Sequence, residues 1–421
     1  MARLCLRNNT EMTNPAQQAA CPLRRHKLGQ RCGAVQTMDR RRRMDSDKKV
    51  NWGRVLILAG AVIAFTIGSG FATGQEIIQY YTAYGVQGIF TVLLFAVCFI
   101  YYNYNFAKAG AEEHFEKGND VYKFYCGKYV GTFMDYYSTI FCYMSFFVMV
   151  GGAASTLNQQ YGLPSWVGGV VLTALAILTV VGGLNSLVDK IGVVGPAIVV
   201  LCIGIGVVTL FRDAGNVGAG LEVIRTGAFA EAGSETIKNA GPNWVISALS
   251  YAGFVLLWFA SFTAALGANN KKKDVEYGIY GGTIAVCVAI VLIMLAQVAN
   301  INTAGLGNTG IFVWNADIPN LILAERIWKP FASFFAIVVF AGIYTTAVPL
   351  LYNPCGRFAK EGTSQFKILT VALGIIGLVV GLFLPFRVLV NIIYVLNGYV
   401  GAVLILFMLW KNIKDVFLKK K

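Results

Sequence analysis

The stretch "TIGSGFATGQE", residues 66–76, sits inside the first long apolar run of the chain. "WGRVLILAGAVIAF" (52–65) precedes it and "IIQYYTAYG" (77–85) follows it. Three glycines, a serine, two threonines, a glutamine and a glutamate interrupt a segment that is otherwise hydrophobic. If the run is a buried helix in water, the interruption only weakens it. If the run crosses a bilayer, the interruption frees backbone groups that hydrocarbon cannot satisfy. The reading of this stretch therefore depends on which solvent the chain was built for.

Composition answers that. Of 421 residues 56% are hydrophobic and 13% charged, with a mean hydropathy of +0.61; soluble domains carry about 25% charged residues. Apolar runs recur at the length that crosses a bilayer core, about 20 residues. Ten spans are predicted, near 54–83, 86–107, 130–157, 166–185, 191–211, 244–268, 276–299, 330–352, 366–385 and 387–410. The runs are continuously apolar rather than alternating, which selects helices over barrel strands. The expected fold class is an all-α polytopic membrane protein.

Basic residues set the orientation. With the N-terminus inside, the inward segments after residue 43 hold 19 Lys and Arg and the outward ones 6. Both termini are expected on the cytoplasmic side of a bacterial inner membrane. The net charge of +14 is then a topology signal, and nucleic acid is not an expected partner. Residues 1–43 read as a separate basic tail, with ten Lys and Arg, two acids and three cysteines. The tail lacks the apolar core of a signal peptide. It is expected to be disordered, and Met44 to be a natural start. The transporter domain is expected over 44–421. Six later cysteines are scattered without metal-ligand spacing, and the two histidines, His26 and His114, lie outside the spans.

Five spans per half, an odd number, force the halves into opposite orientations, the arithmetic of an inverted repeat. The repeats are expected over about 52–211 and 244–411. Each half then opens on a span with glycine in its body: the first with Gly68, Ser69, Gly70 and Gly74, the sixth with Ser250, Tyr251, Ala252, Gly253 and Phe254. Breaks at mid-membrane are predicted in both. A break offers bare carbonyls and a negative dipole end on one side, suited to a cation. On the other side it offers bare N–H groups and a positive end, suited to a carboxylate. Glycine supplies the dihedrals and the room for close approach. Small residues also occur wherever membrane helices touch, so single glycines leave both readings open.

"IGSGFATGQEIIQYYTAYG" (67–85) resembles the first-helix signature of the YkvI-like membrane proteins, a bacterial family within the amino acid–polyamine–organocation superfamily. The resemblance runs from about Met44 to the C-terminus. It implies the bacterial leucine transporter fold, a 5+5 inverted repeat, and a solute held between the first, third, sixth and eighth spans under alternating access. By motif it implies substrate contacts at Gly68, Ser69, Gly70 and Phe71, and at Tyr251, Ala252 and Gly253. Tyr143 in the third span is a further candidate to close over a ligand, although packing between helices explains it equally well. The resemblance also implies a sodium site where Thr345 and Thr346 of "AGIYTTAVPLLYN" face carbonyls of Ala64 and Ile67. Threonines that bond their own helix give the competing account. A lysine that could replace the ion is absent from the fifth span.

Glu76 is the one carboxylate well inside a predicted span, and such acids are costly and usually functional. With Gln75 it is a candidate gating or coupling group: a proton carrier, a counter-charge for a cationic substrate, or a cap on exposed N–H groups. No nucleotide fingerprint or catalytic constellation is evident, so an enzyme is not expected. No cofactor is expected beyond sodium or a proton as coupling ion. The expected function is secondary active transport of a small zwitterionic or organic solute, an amino acid or relative. The alternative is a ligand sensor of the germinant-receptor type.

Overall fold

In water a chain hides its apolar residues; here the outside is apolar and the polar side chains are inside. The computed structural model describes residues 50–67, 69–115, 117–182, 194–305 and 310–418. Across the long helices, residues such as Leu56, Leu93, Leu178, Ile284, Ile376 and Phe383 face outward. Thr73, Gln75, Glu76, Gln79, Thr82, Ser247, Ser250, Gln297 and Asn320 are buried. That inversion suits lipid as the surrounding solvent. Among the described residues nine helices are long and apolar enough to cross a membrane, and no strand occurs, only one isolated bridge between Ala304 and Phe312. The chain is an all-α, multi-pass membrane protein. The predicted tail, residues 1–43, and Gly68 lie outside the described residues.

The first predicted span is interrupted as expected. It consists of α1 (Trp52–Thr66), α2 (Ser69–Thr73) and α3 (Gln75–Tyr80), closed by a 3-10 turn at Thr82–Tyr84. The two breaks differ in kind. Between α1 and α2 the chain leaves the helix at Ile67, whose N–H still reaches Ile63 O at 2.8 Å. Between α2 and α3 it turns at Gly74, whose φ of 82° is left-handed, a conformation that costs a residue with a Cβ about 1–2 kcal/mol.

The carbonyls around these turns find partners, that of Gly74 twice over, since it also accepts from the Ile78 N–H (3.0 Å). Gln297 Nε2 donates to Gly74 O (3.0 Å) and Asn320 Nδ2 to Ala72 O (3.1 Å). Thr73 Oγ1 donates to Gly70 O (2.7 Å). At the far end the Ala240 N–H donates to Gln79 O (3.1 Å) and Ser247 Oγ to Tyr80 O (2.8 Å). For Gly70, Ala72, Gln79 and Tyr80 the pairing offsets a desolvation cost of several kcal/mol, roughly, for a bare carbonyl in hydrocarbon.

Next come α4 (Gln87–Glu113) and α5 (Asp120–Tyr161). α5 is kinked at Gly127, where φ is 73°, so its first turns leave the line of the span. α6 (Ser165–Gly182) and α7 (Val194–Asp213) complete the first half, and α8 (Val217–Thr226) follows outside it.

The sixth predicted span does not break. α9 runs without interruption from Trp244 to Asn269, its start capped by Asn243 Oδ1, which accepts from the Val245 and Ile246 N–H groups. The predicted irregularity near 250–254 is therefore corrected. Gly253 serves helix crossing instead. A Cβ there would meet Gly398 O, and a Cβ on Gly401 would meet Gly253 O. Close backbone approach is the common use of small residues between membrane helices. Without that demand nothing local would stop the helix, because one glycine costs it only about 1 kcal/mol.

The second half continues with α10 (Lys272–Ala299), α11 (Pro319–Ile327), α12 (Lys329–Phe358) and α13 (Ser364–Phe383). α11 is a short helix within "IPNLILAERIWK" (318–329). The last span carries the irregularity that the sixth lacks. α14 (Phe386–Leu389) passes through a π-turn, Val390–Tyr394, into α15 (Val395–Leu418). Such π-turns add a residue locally and re-aim the side chains around them.

Candidate functional site

Glu76 is the centre. It sits two residues past the left-handed turn at Gly74, and its side chain folds back along α2. A Cβ built on Gly70 would fall on Glu76 Oε1. The absence of a side chain at Gly70 is thus what makes room for the carboxylate. Glu76 is 4% exposed and accepts a hydrogen bond of 3.1 Å from Tyr251 Oη, contributed by α9. No basic side chain among the described residues pairs with it. A buried carboxylate held by one hydroxyl is costly, and that cost marks the place.

Aromatic rings gather around Tyr251, the hydrogen-bond donor to Glu76. The Tyr251 ring lies 5.0 Å from Tyr80, 5.1 Å from Tyr81, and 4.9 Å from both Phe95 and Phe254. Phe254 stacks on Tyr394 at 4.8 Å, and Trp258 closes the group 5.5 Å from Tyr394. The π-turn in the last span delivers Tyr394. The hydroxyls of Tyr81 and Tyr394 and the indole N–H of Trp258 are buried with no hydrogen-bond partner among the described residues. Buried polar groups are rarely left unpaired, and water, an ion or a ligand is a usual partner where the protein supplies none.

On the side predicted to face outward, a polar layer lies next to this cluster. With its amide turned to suit its neighbours, Gln75 donates to Ala316 O (3.0 Å) and accepts from Gln79 (2.7 Å). Gln79 also donates to Arg387 O (2.8 Å), and Asn391 donates to Gln79 Oε1 (3.0 Å). The Arg387 N–H reaches Asp317 Oδ1 (3.3 Å), and Ser155 Oγ donates to Asp317 Oδ2 (2.7 Å). On the side predicted to face inward, Arg357 grips Asp135 through two hydrogen bonds of 2.6 and 3.1 Å, tying α12 to α5.

The remaining sequence candidates divide. Phe71 and Ile67 are buried beside the break; Ser69 begins α2. Tyr251 joins Glu76, and Ala252 beside it is buried. Gly253 belongs to the α9–α15 crossing. Tyr143 turns away: its hydroxyl donates to Leu373 O (2.8 Å) on α13 and its ring packs on Phe147. Thr345 and Thr346 both donate to Gly342 O, at 2.8 and 3.0 Å, while their helix, α12, packs against α2. Ala64 is half-buried in α1. Among the described residues no three His, Cys, Asp or Glu side chains group to hold a metal ion.

Sequence reasoning passed over Gln297, Asn320, Trp258 and Tyr394. Gln297 carried a signal, a lone amide in an apolar run, which in a membrane is expensive unless paired. Trp258 and Tyr394 carried none, since aromatic residues abound in such spans.

No protein-family model matches the chain. It is 19% identical to the uncharacterized membrane protein YkvI of Bacillus subtilis over 358 residues. It is 29% identical to the uncharacterized protein YyaD of the same organism over 119 residues, 28% of this chain and 33% of that one. Among solved structures it is similar to a manganese transporter of Eremococcus coleocola. For one mutant form of that transporter the TM-score is 0.41 at 12% identity, covering 81% of this chain and 68% of that one. For the complex with an aromatic bis-isothiourea substituted compound the TM-score is 0.42 at 12% identity, covering 82% and 70%. The likeness to the YkvI-like membrane proteins, read from the first span, thus extends over 84% of this chain and 95% of YkvI.

Proposed function

We propose that this protein is a secondary transporter that carries a small organic solute bearing an amino or quaternary ammonium group past Glu76 by alternating access. One observation carries the reading. The chain breaks its first span twice, satisfies the freed Ala72 carbonyl from α11, braces Gly74 from α10, and buries a carboxylate beside the breaks. A structural helix needs none of this. Solute would enter between the polar layer around Gln75, Gln79 and Arg387 and the clasp of Asp135 with Arg357, each of which opens in turn. Amino acids and their relatives are within this reading. Sodium remains the proposed coupling ion, with Ala64, Ile67, Thr345 and Thr346 as its site; the packing of α12 on α2 supports that placement, and a donating hydroxyl still has lone pairs for a cation.

The test is a thermal-shift screen of the purified chain against amines, amino acids, betaines and nucleobases, with and without sodium. A ligand of the folded form raises the melting temperature by mass action. Exchange of a labelled hit across proteoliposomes then separates a transporter from a sensor, which binds without exchange. A screen in which no solute bearing an amino or quaternary ammonium group shifts the melt would refute the reading.

A further inference from the structure

We infer that the solute is an organic cation without a carboxylate of its own, an amine or a quaternary ammonium compound. This rests on the proposed solute site and narrows its substrate class.

A zwitterion needs two poles. The positive pole has an obvious place at Glu76. The negative pole was expected on the bare N–H groups that open the outer half of the broken span. The chain itself fills that neighbourhood, because the Glu76 carboxylate lies against the Cα of Gly70 in the first turn of α2. A solute carboxylate brought there would meet a like charge in a medium that screens poorly. Nothing nearby offsets it: the basic side chains that approach the pathway, Arg387 and Arg357, are already engaged in the two flanking layers. Among the described residues the site therefore presents one anion and no cation.

The walls point the same way. Tyr80, Tyr81, Tyr251, Phe254, Trp258 and Tyr394 form one continuous group of rings beside that anion. Ring faces attract cations, and the attraction grows when water is excluded. The Tyr251 hydroxyl donates to Glu76 (3.1 Å), and the rings of Tyr81 and, through Phe254, Tyr394 pack on from Tyr251. The hydroxyls of Tyr81 and Tyr394 have no partner among the described residues, so their oxygens are available to the N–H groups of an ammonium. A bare metal ion is poorly served, since hard cations take six or so oxygen ligands, roughly, and only one carboxylate is present among the described residues of the site. An alkyl or aryl ammonium uses the carboxylate for its charge and the rings for its carbon.

The experiment uses matched pairs that differ by a carboxylate: isoamylamine and leucine, phenethylamine and phenylalanine, putrescine and ornithine, choline and glycine betaine. Binding of each to the purified full chain is measured calorimetrically. At least one amine should bind, with its carboxylated partner weaker by about tenfold or more. Glu76→Gln should weaken that amine by about tenfold or more without lowering the melting temperature of the ligand-free protein. If Glu76→Gln does not fold, Glu76→Asp keeps the charge, draws it back by one methylene, and should also weaken the amine. Tighter binding of the carboxylated member, or an amine indifferent to both variants, overturns the inference. If no member of either series binds the wild type, the solute-site reading falls and takes this one with it.

Discussion

Replacing Gly74 by alanine distinguishes a broken first span from a continuous one by sign. In an ordinary helix, glycine to alanine stabilises by about 0.5–1 kcal/mol. At Gly74 φ is 82°, and a residue with a Cβ pays about 1–2 kcal/mol to stay there. The added carbon would also collide with the Asn320 side chain and lie 2.8 Å from Gln297 Nε2. Those two amides hold the carbonyls of Ala72 and Gly74. Losing both bonds removes about 0.5–1.5 kcal/mol each. The net expectation is a destabilisation of about 2–5 kcal/mol, read as a lower melting temperature in mild detergent. A double-mutant cycle apportions it. In an Asn320→Gly background the main collision is gone, and Gly74→Ala should cost little more than its conformational share, about 1–2 kcal/mol. A rise in melting temperature on Gly74→Ala alone would mean that the helix passes through residue 74 unbroken. The argument built on the break would then be refuted.

Gly253→Ala places a Cβ against Gly398 O. Two backbones must then separate, so a loss of about 1–3 kcal/mol is expected, whereas a helix with open space at Gly253 would gain about 0.5–1 kcal/mol; the melting temperature decides. Arg357→Ala leaves Asp135, 7% exposed, with Asn119 as its remaining side-chain partner. It should destabilise by roughly 3 kcal/mol, and adding Asp135→Asn should recover part of the loss in the same melt. Replacing both Thr345 and Thr346 by valine removes two hydroxyls that bond Gly342 O. If these oxygens bind sodium, the sodium dependence of ligand binding disappears while sodium-free affinity holds. An unchanged sodium response, measured by calorimetry, removes them from the ion site.

The sequence by itself determined the solvent and the first break. Composition did the first, because no soluble chain carries so many bilayer-length apolar runs. The cluster of Gly68, Gly70 and Gly74 did the second, because several glycines close together weaken a helix locally. Lone glycines were another matter. Gly253 looked like a second break and proved to be a crossing point, and the atom that decides this, Gly398 O, belongs to another span. The same holds for the site. Tyr251 meets Glu76 across 175 residues of chain, Gln297 reaches Gly74 across 223, and Asn320 reaches Ala72 across 248. Only the tertiary structure could bring these groups together. It also showed that Glu76 fills the space left by the missing side chain of Gly70, a fact of backbone path and side-chain direction that residue order does not encode. Local chemistry is written in neighbouring residues; which distant residue satisfies a freed carbonyl or lines a charge is set by how the helices pack.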